Sequence, residues 1–170
     1  MQSQHSNPLK PAVEVILRDV QPADLPTLFA FESDPAWCAM ALVKPRTATA
    51  FDAVWTKIFH DWSSGLRSVV QKTILADDKV CGTIGCRLIE GRWVVGYGLG
   101  RTHWGRGIAS CALGLLLEEV QLRPLSAHAS ASNIASVCVL LKHGFVITEK
   151  RAMPETERML ARDELIMELV

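Results

Sequence analysis

The sequence of 170 residues lacks several features that would assign it to a function class at once. Its 18 lysines and arginines are balanced by 18 aspartates and glutamates, so the formal net charge is zero. This balance argues against a broad basic surface for nucleic acid, although a local basic patch is compatible with it. No apolar run approaches the roughly 20 residues that a membrane span needs, and internal repeats are absent.

The five cysteines show no Cys-x-x-Cys spacing, and their number is odd. This pattern argues against a disulfide framework and a structural zinc site, so no metal site is expected. We interpret the cysteines as buried apolar residues in a reducing cytosol rather than as catalytic thiols. They are Cys38, Cys81, Cys86, Cys111 and Cys138.

The length suffices for one domain with a real core and is short for two, so we expect a single domain over residues 1–170. Residues 1–11, MQSQHSNPLKP, lack the apolar core of a signal peptide and are expected to form a loose tail. A soluble, cytoplasmic protein is the resulting expectation, as a monomer or homodimer.

Hydrophobic periodicity predicts a mixed α/β sheet in the order β-α-α-β-β-β-α-β-α-β-β. Asp24 is placed to cap the first helix, and Gly65 and Gly144 are placed to end later ones. In the second helix, Phe51, Val54, Trp55, Ile58, Phe59 and Trp62 form the apolar stripe. The predicted strands cover residues 13–20, 67–76, 80–90, 93–100, 124–130, 145–151 and 163–170. The predicted helices cover residues 21–34, 47–65, 108–121 and 132–143, and residues 37–46 stay ambiguous.

Residues 100–110, GRTHWGRGIAS, join a predicted strand to a predicted helix and carry three glycines and two arginines. A helix N-terminus has unpaired N–H groups and partial positive charge, and glycines let the backbone approach a ligand closely. These features predict a phosphate or pyrophosphate site. The alternative is a tight turn whose glycines only satisfy its geometry.

Two common phosphate motifs are missing from the chain. The string Gly-x-x-x-x-Gly-Lys-Ser/Thr of a P-loop does not occur, and the strings that begin at Gly98 and Gly105 lack the third glycine of a dinucleotide fingerprint. The predicted antiparallel strands upstream also differ from a parallel βαβ unit. A nucleotide-binding domain is therefore a remote alternative.

The segment HWGRGIAS resembles the acetyl-CoA pyrophosphate loop of the GNAT superfamily of N-acetyltransferases, Gln/Arg-x-x-Gly-x-Gly/Ala. The segment SNIASVCVLLKHGF resembles Asn-x-x-Ser-x-x-x-Leu-x-Lys-x-Gly-Phe of the RimJ/RimL-type branch, and RDELIMELV resembles its closing strand. Asn133, Ser136, Leu140, Lys142, Gly144 and Phe145 fall in register. The resemblance covers nearly the whole chain. One departure is Thr102, which occupies the Gln/Arg position.

The resemblance implies a GNAT-like fold with splayed central strands and acetyl-CoA as co-substrate. The pantetheine arm would lie along the strand that carries Gly96, Gly98 and Gly100, where a bulge or a close backbone approach is expected. A twisted strand with small residues is the alternative. The implied cofactor-binding residues are Leu99, Gly100, Arg101, Thr102, Trp104, Gly105, Arg106, Gly107, Ile108, Ala109, Ser110, Asn133 and Ser136.

Two candidate catalytic residues follow. His128 lies on the polar parity of its strand, near where several GNAT enzymes carry a glutamate base, and imidazole can accept a proton from an amine. It is otherwise a histidine that only hydrogen-bonds in the cleft; Glu90 and Glu118 are weaker bases. Ser136 could protonate the leaving thiolate, since Leu140 replaces the tyrosine of many members. The alternative for this pair is that Asn133 or Ser132 serves simply as the helix N-cap.

The predicted activity is transfer of acetyl to a primary amine, a protein N-terminus or a small-molecule amine, by direct attack in a ternary complex. A backbone N–H near Leu99 would polarise the acetyl carbonyl. The alternative is a CoA-binding module without turnover. Nucleic acid and membrane are not expected partners. The residues Trp37, Trp62, Trp93 and Tyr97 line either the acceptor side or the core, and residues 153–163 form either a gate or a solvated hairpin.

Overall fold

The computed structural model describes residues 13–66 and 68–170, so the predicted tail of residues 1–11 lies outside the described residues. Within them the chain forms one seven-stranded mixed sheet, in the order β1-β2-β3-β4-β5-β7-β6. The strands are β1 (Val15–Asp19), β2 (Val69–Ala76), β3 (Lys79–Ile89), β4 (Arg92–Leu99), β5 (Leu125–Ser130), β6 (Val146–Met153) and β7 (Arg162–Leu169). The helices are α1 (Leu25–Glu32), α2 (Pro35–Ala41), α3 (Ala48–Ser63), α4 (Ile108–Glu119) and α5 (Ile134–Lys142).

The strands β2, β3 and β4 form the predicted antiparallel meander, and β1 pairs antiparallel with β2 at its edge. The turns that join β2 to β3 and β3 to β4 each place two consecutive residues at positive φ, at Asp77 and Asp78 and at Glu90 and Gly91. Two-residue turns of this kind match the twist of the paired strands. The conformation of these turns is therefore consistent with the pairing of β2 with β3 and of β3 with β4.

The sheet splits between β4 and β5. These strands run parallel but pair only at Val94 with Ser126 and at Val95 with Ala127. The helix α4 makes the crossover between them, as the sequence predicts. The splayed central strands of the expected fold are thus confirmed. The expected bulge in β4 is wrong, because its register with β3 is unbroken from Leu99 to Arg92.

A third helix, α2, lies between β1 and β2, where the sequence predicts two helices and leaves residues 37–46 ambiguous. Asp34 caps it by accepting a hydrogen bond from the Ala36 N–H at 2.8 Å, and Pro35 occupies its first turn. Leu42 ends it in the left-handed conformation, at φ 51°. Seven residues are too few for a clear helical period, which is why the pattern leaves this segment ambiguous.

The two faces of the sheet bury different clusters. The helices α4 and α5 pack on one face, with Leu113, Leu116 and Leu140 in its core. On the other side α1 and α3 enclose Leu28, Phe51 and Trp55. Val54 was predicted on the apolar stripe of α3 but is 38% exposed, because the buried face of this helix is narrower than its set of apolar residues and includes Phe51 and Trp55.

Asp24 precedes α1 as predicted, but its side chain does not cap that helix. It accepts hydrogen bonds from Arg18 Nη1 and Nη2 at 2.6 and 2.7 Å and from Thr73 Oγ1 at 2.8 Å. The paired Arg18 guanidinium lowers the pKa of this carboxyl, which is only 4% exposed, to about 2. Asp24 therefore joins β1, α1 and β2 as a buried ion pair instead of a cap.

All five cysteines are free thiols. Cys38, Cys81 and Cys86 are buried as expected. The expectation is wrong for Cys111 and Cys138, which are exposed because they lie on the outward sides of α4 and α5.

Candidate active site

A cavity of about 280 Å³ lies where β4 and β5 separate. The end of β4, the loop of residues 103–107, the first turns of α4 and α5 and the helix α2 enclose it. We call it the donor cavity. Its lining residues are Trp37, Met40, Ala41, Tyr97, Gly98, Leu99, His103, Trp104, Gly105, Arg106, Gly107, Ile108, Ala109, Ser110, Asn133, Ala135, Ser136 and Val139. Ten of the thirteen predicted cofactor-binding residues are in this set, and Gly100, Arg101 and Thr102 are not.

The backbone of the glycine loop is shaped by Gly105 and Gly107, at φ 69° and 74°. A Cβ at either position would meet no atom within 4 Å, so these glycines serve the backbone conformation and leave open space beside it. Gly107 is the N-cap of α4 and offers no side-chain cap. The first N–H groups of the helix therefore face the cavity with their partial positive charge uncompensated by a cap.

The charged and polar residues of this loop have other partners. Arg101 Nε lies 3.2 Å from Asp34 Oδ2, and Arg106 Nη2 lies 3.6 Å from Asp77 Oδ2. Thr102 is exposed. Gly100 has a packing role, because a Cβ there would overlap the ring of Phe31. The loop thus presents backbone N–H groups to the cavity, while one of its two arginines, Arg101, lies outside the lining.

The first turn of α5 brings a capping amide and a hydroxyl group to the cavity. Asn133 Oδ1 accepts a hydrogen bond from the Ser136 N–H at 3.1 Å, so Asn133 is the N-cap. The Ser136 Oγ lies 3.0 Å from the Tyr97 hydroxyl, which also donates to the Ser136 carbonyl at 3.1 Å. Burial raises the pKa of Tyr97, so its hydroxyl keeps its proton at neutral pH.

Sequence reasoning missed the role of Tyr97 in the cavity. Tyr97 is the single tyrosine of the chain, and it was grouped with aromatics of the core or acceptor side. Its parity on β4 was available, since it is two residues before Leu99. The pairing with Ser136 spans 39 residues, however, and no local spacing signals it.

The wall opposite α5 is the helix α2, and its Met40 and Ala41 were also missed. Trp37, already a candidate for the acceptor side, lies against β4, so that a Cβ at Gly98 would be 3.1 Å from its indole ring. Gly98 therefore leaves room for the Trp37 indole, while the close approach of a ligand to this strand stays a prediction. By contrast, Trp62 and Trp93 pack against the two apolar clusters and do not line the cavity.

His128 lies outside the donor cavity, on the other face of the split sheet. Ala127 and Ala129 belong to the cluster under α4 and α5, so the alternation of β5 directs His128 to the opposite face. Its position on β5 is the first beyond the pair Val95 and Ala127, where β4 no longer pairs with β5. The side chain is 29% exposed, and its Nδ1 lies 3.8 Å from Glu164 Oε2.

Burial lowers the pKa of His128, and Arg151, Arg162 and Arg87 lower it further. The carboxylate of Glu164 opposes this effect. The imidazole is therefore neutral near pH 7 and able to accept a proton, beside a carboxylate that would stabilise the imidazolium. The weaker candidates lie elsewhere: Glu90 is in the turn between β3 and β4, and Glu118 is exposed near the end of α4.

The segment between β6 and β7 is neither strand nor helix over most of its length. It makes a bridge between Val43 and Met159, with hydrogen bonds from the Lys44 N–H to the Arg158 carbonyl and from the Leu160 N–H to the Leu42 carbonyl, each 2.8 Å. The segment is therefore tied to the chain that leaves α2.

No helix in the described part of the chain is long and apolar enough to cross a membrane.

The description of one protein family, the acetyltransferase (GNAT) domain, matches residues 14–146. The chain is also 29% identical over 132 residues to an uncharacterized N-acetyltransferase p20 of Bacillus licheniformis. That match covers 73% of this chain and 74% of the relative. The family match includes the loop and the start of α5.

Solved structures share the fold at low sequence identity. A spermidine N-acetyltransferase from Vibrio cholerae, in complex with CoA and spermine, superposes with a TM-score of 0.76 at 14% identity over 91% of this chain and 94% of that one. RimJ from Mycobacterium smegmatis, in complex with CoA-disulfide, superposes with a TM-score of 0.73 at 22% identity over 94% and 83%. The similarity to these proteins establishes the shared architecture.

Proposed function

The chain belongs to the GNAT acetyltransferase family, and we propose that it transfers the acetyl group of acetyl-CoA to a primary amine by direct attack in a ternary complex. The acceptor is a protein N-terminus or a small-molecule amine. The observation that carries this proposal is the uncapped N-terminus of α4, preceded by two glycines in the left-handed region, at the mouth of a cavity between splayed strands. This arrangement suits a pyrophosphate attached to a thioester arm.

Acetyl-CoA would be held mainly by backbone groups. The N–H groups from about Trp104 to Ser110 would bind the pyrophosphate, because they converge at a helix N-terminus. The pantetheine arm would lie between β4 and α5, where Asn133 and Ser136 line the cavity. A backbone N–H near Leu99 would polarise the acetyl carbonyl.

His128 would act as the general base. The amine nitrogen attacks the carbonyl carbon, and its proton passes to the imidazole directly or through a water molecule. His128 lies on the far face of the split from Ser136, so an amine beside it would enter through the gap between β4 and β5. The neutral state of the imidazole near pH 7 supports this role.

Ser136 would donate a proton to the sulfur as the C–S bond breaks, and Tyr97 would supply the hydroxyl that sustains it. The Tyr97 proton has two acceptors, the carbonyl and the Oγ of Ser136. When the Ser136 O–H points at the sulfur, the Tyr97 O–H can donate to Ser136 Oγ and replace the proton that Ser136 gives up. The proton taken by His128 then returns through solvent to the hydroxyl pair, which restores both groups for the next turnover. Tyr97 on β4 would thereby provide a hydroxyl group like that of the tyrosine which many family members carry at the position of Leu140 on α5.

Binding and turnover test the proposal separately. Acetyl-CoA at 100 times its Kd should stabilise the protein by about 2.7 kcal/mol, which a thermal shift detects. A panel of primary amines, assayed by release of CoA thiol, should then show turnover. A thermal shift without thiol release from any amine would instead favour a CoA-binding module, and no shift at millimolar acetyl-CoA would reject both.

A further inference from the structure

The carboxylate beside His128 is shared by two arginines. Glu164 Oε1 pairs with Arg162 Nη2, and Glu164 Oε2 lies 3.1 Å from Arg151 Nη2. The side chains of Glu164 and Arg162 are 5% and 9% exposed, whereas that of Arg151 is 40% exposed, so Arg151 presents its charge to solvent beside a buried pair. The positive charges of this network exceed its negative charge by one, because burial keeps His128 itself neutral near pH 7.

A further arginine extends this surplus across the split. Arg87 on β3 faces the same side as His128. Its register partner Val94 pairs in turn with Ser126, which shares the parity of His128 on β5. It is exposed, and no carboxylate of the described residues lies within 4 Å of its guanidinium. Arg92 on β4 pairs with Glu168 on β7 at 2.6 Å and so adds no net charge.

Among the described strand residues of this face, one further carboxylate is left, that of Glu149, and it does not cancel the surplus. Glu149 on β6 stands opposite Ile166 of β7, and Ile166 is the register partner of His128. Glu149 is thus two strands away from His128, on the exposed edge of the sheet. Arg87 and the Glu164 network together remain positive next to the proposed base.

A second network at the segment between β6 and β7 has the same composition. Glu32 Oε2 lies 3.1 Å from Arg46 Nη1 and 3.5 Å from Arg158 Nη2. The Arg158 Nη1 atom is buried and has no hydrogen-bond partner among the described residues. Arg158 belongs to the segment that is bonded to residues 42–44, just after the cavity wall α2. Here too two arginines share one carboxylate.

We propose that the acceptor is an anionic amine, one that carries a carboxylate or phosphate close to its reacting nitrogen. The assignment rests on the proposed function, since it takes the face of His128 as the side from which the amine enters. Arg87 and Arg151 flank that position, and an anion there would offset a surplus that the chain itself leaves uncompensated. A polyamine would bring like charge to the same place, although the same fold binds spermine in the Vibrio cholerae enzyme.

Matched acceptors of equal length test this assignment. β-Alanine, β-alaninamide and 1,3-diaminopropane present the same amine with a carboxylate, a neutral amide or a second ammonium. We expect kcat/KM to be about tenfold higher for the carboxylate than for the amide, lowest for the diamine, and the difference to shrink in high salt. 2-Aminoethyl phosphate and short peptides beginning Ala-Asp or Ala-Asn distinguish a phosphate, a free amino acid and an acidic N-terminus as sources of the anion.

Charge variants locate the effect. Arg87→Gln should reduce the carboxylate-to-amide ratio by about threefold, and Arg87→Glu should reverse the preference, because Arg87 is exposed and its replacement leaves the core intact. Lys57→Gln is the matched control, since Lys57 is an exposed cation on α3 that pairs with Asp61. This control should leave the ratio unchanged.

The outcomes separate the two proposals. Equal or faster turnover of the amide or the diamine overturns the anionic acceptor and leaves the acetyltransferase proposal standing, because CoA is still released. An unchanged ratio in Arg87→Glu also overturns it. Absence of CoA release with these and all other amines, in a protein that acetyl-CoA stabilises, rejects both.

Discussion

The loop between β4 and α4 and the segment between β6 and β7 follow strands from the two halves of the split sheet, and they differ in what they present. The first offers backbone: Gly105 and Gly107 at positive φ and an uncapped helix N-terminus. The second offers side chains: Arg158 and Arg162 join it to Glu32 and Glu164. The loop between β4 and α4 depends on its backbone conformation, and the segment between β6 and β7 depends on its charged side chains.

This difference separates what is general in the family from what is particular to the chain. Backbone N–H groups recognise a pyrophosphate whatever the neighbouring side chains are, so the donor side can keep one geometry. Recognition of the acceptor depends on which side chains surround its amine. Variants on the two sides should therefore change different kinetic constants, and the following predictions test that separation from the largest effect to the smallest.

The largest effect is expected on the acceptor side, at the proposed base. His128→Gln should lower kcat/KM for the amine by about 100-fold, because general-base catalysis typically contributes at least that factor. The Kd of acetyl-CoA, measured by calorimetry, should stay the same. In the wild type, activity should fall as the pH drops below the ordinary histidine pKa of about 6.5, since burial lowers the pKa of His128.

His60→Gln is the control, because His60 is an exposed histidine on α3. It should keep wild-type activity at every pH. Unchanged turnover in His128→Gln would remove this residue from the mechanism.

The next effect concerns the ion pair of Asp24 with Arg18, and it is measured as the free energy of unfolding. Arg18 holds the pKa of Asp24 near 2, below the usual 3.8, so the unfolded chain binds the proton more tightly. The stabilisation is complete above about pH 5 and is lost as the pH falls towards 2, by about 2 kcal/mol. Asp24→Asn should lower stability at pH 7 and flatten this part of the acid profile in urea titrations.

The control for Asp24→Asn is Asp52→Asn, which alters an exposed carboxylate on α3. Its acid profile should match the wild type. A profile for Asp24→Asn with the wild-type slope would mean that other carboxylates cause the acid loss.

On the donor side the expected effect is on affinity. Gly107→Ala forces a Cβ into the left-handed region and should weaken acetyl-CoA binding by about tenfold, because the loop gives up this conformation to relieve the strain. Gly91→Ala makes the same change at φ 78°, in the turn between β3 and β4 and also without neighbours within 4 Å. It should cost stability alone, and equal losses of affinity in both variants would contradict a local role.

The smallest effect is expected at the junction of the two sides. Tyr97→Phe keeps the ring and removes the hydroxyl that lies 3.0 Å from Ser136 Oγ. It should lower kcat by about fivefold with little change in the KM for acetyl-CoA. Combined with Ser136→Ala it should add little further loss, because both hydroxyls serve one proton. Fully additive losses would show that the two hydroxyls act independently.

The sequence predicted most of the donor side because its signals are local. Gly105, Gly107 and Asn133 act within a few residues of where they stand, through turn geometry and capping. The antiparallel pairing of β2, β3 and β4 followed from the turns at Asp78 and Gly91, and the parallel pairing of β4 and β5 followed from the crossover helix. The family match then confirmed the fold and the cofactor class.

The errors concern interactions between distant residues or very short elements. Asp24 has the spacing of a cap, yet Thr73, 49 residues away, and Arg18 hold its carboxylate. The helix α2 is too short for periodicity, so Met40 and Ala41 were not foreseen in the cavity. Tyr97 and Ser136 meet only through tertiary packing, as do the arginines around Glu32 and Glu164.

The bridge between Val43 and Met159 has an evolutionary consequence. It ties the segment that follows α2, a wall of the donor cavity, to the segment that carries Arg158. An insertion or deletion in that segment would be the simplest way to accept a new amine. It would also displace α2, the helix that holds Trp37 against β4. We expect changes in acceptor choice to proceed through substitutions at fixed loop length, which leave α2 and the cavity that it lines undisturbed.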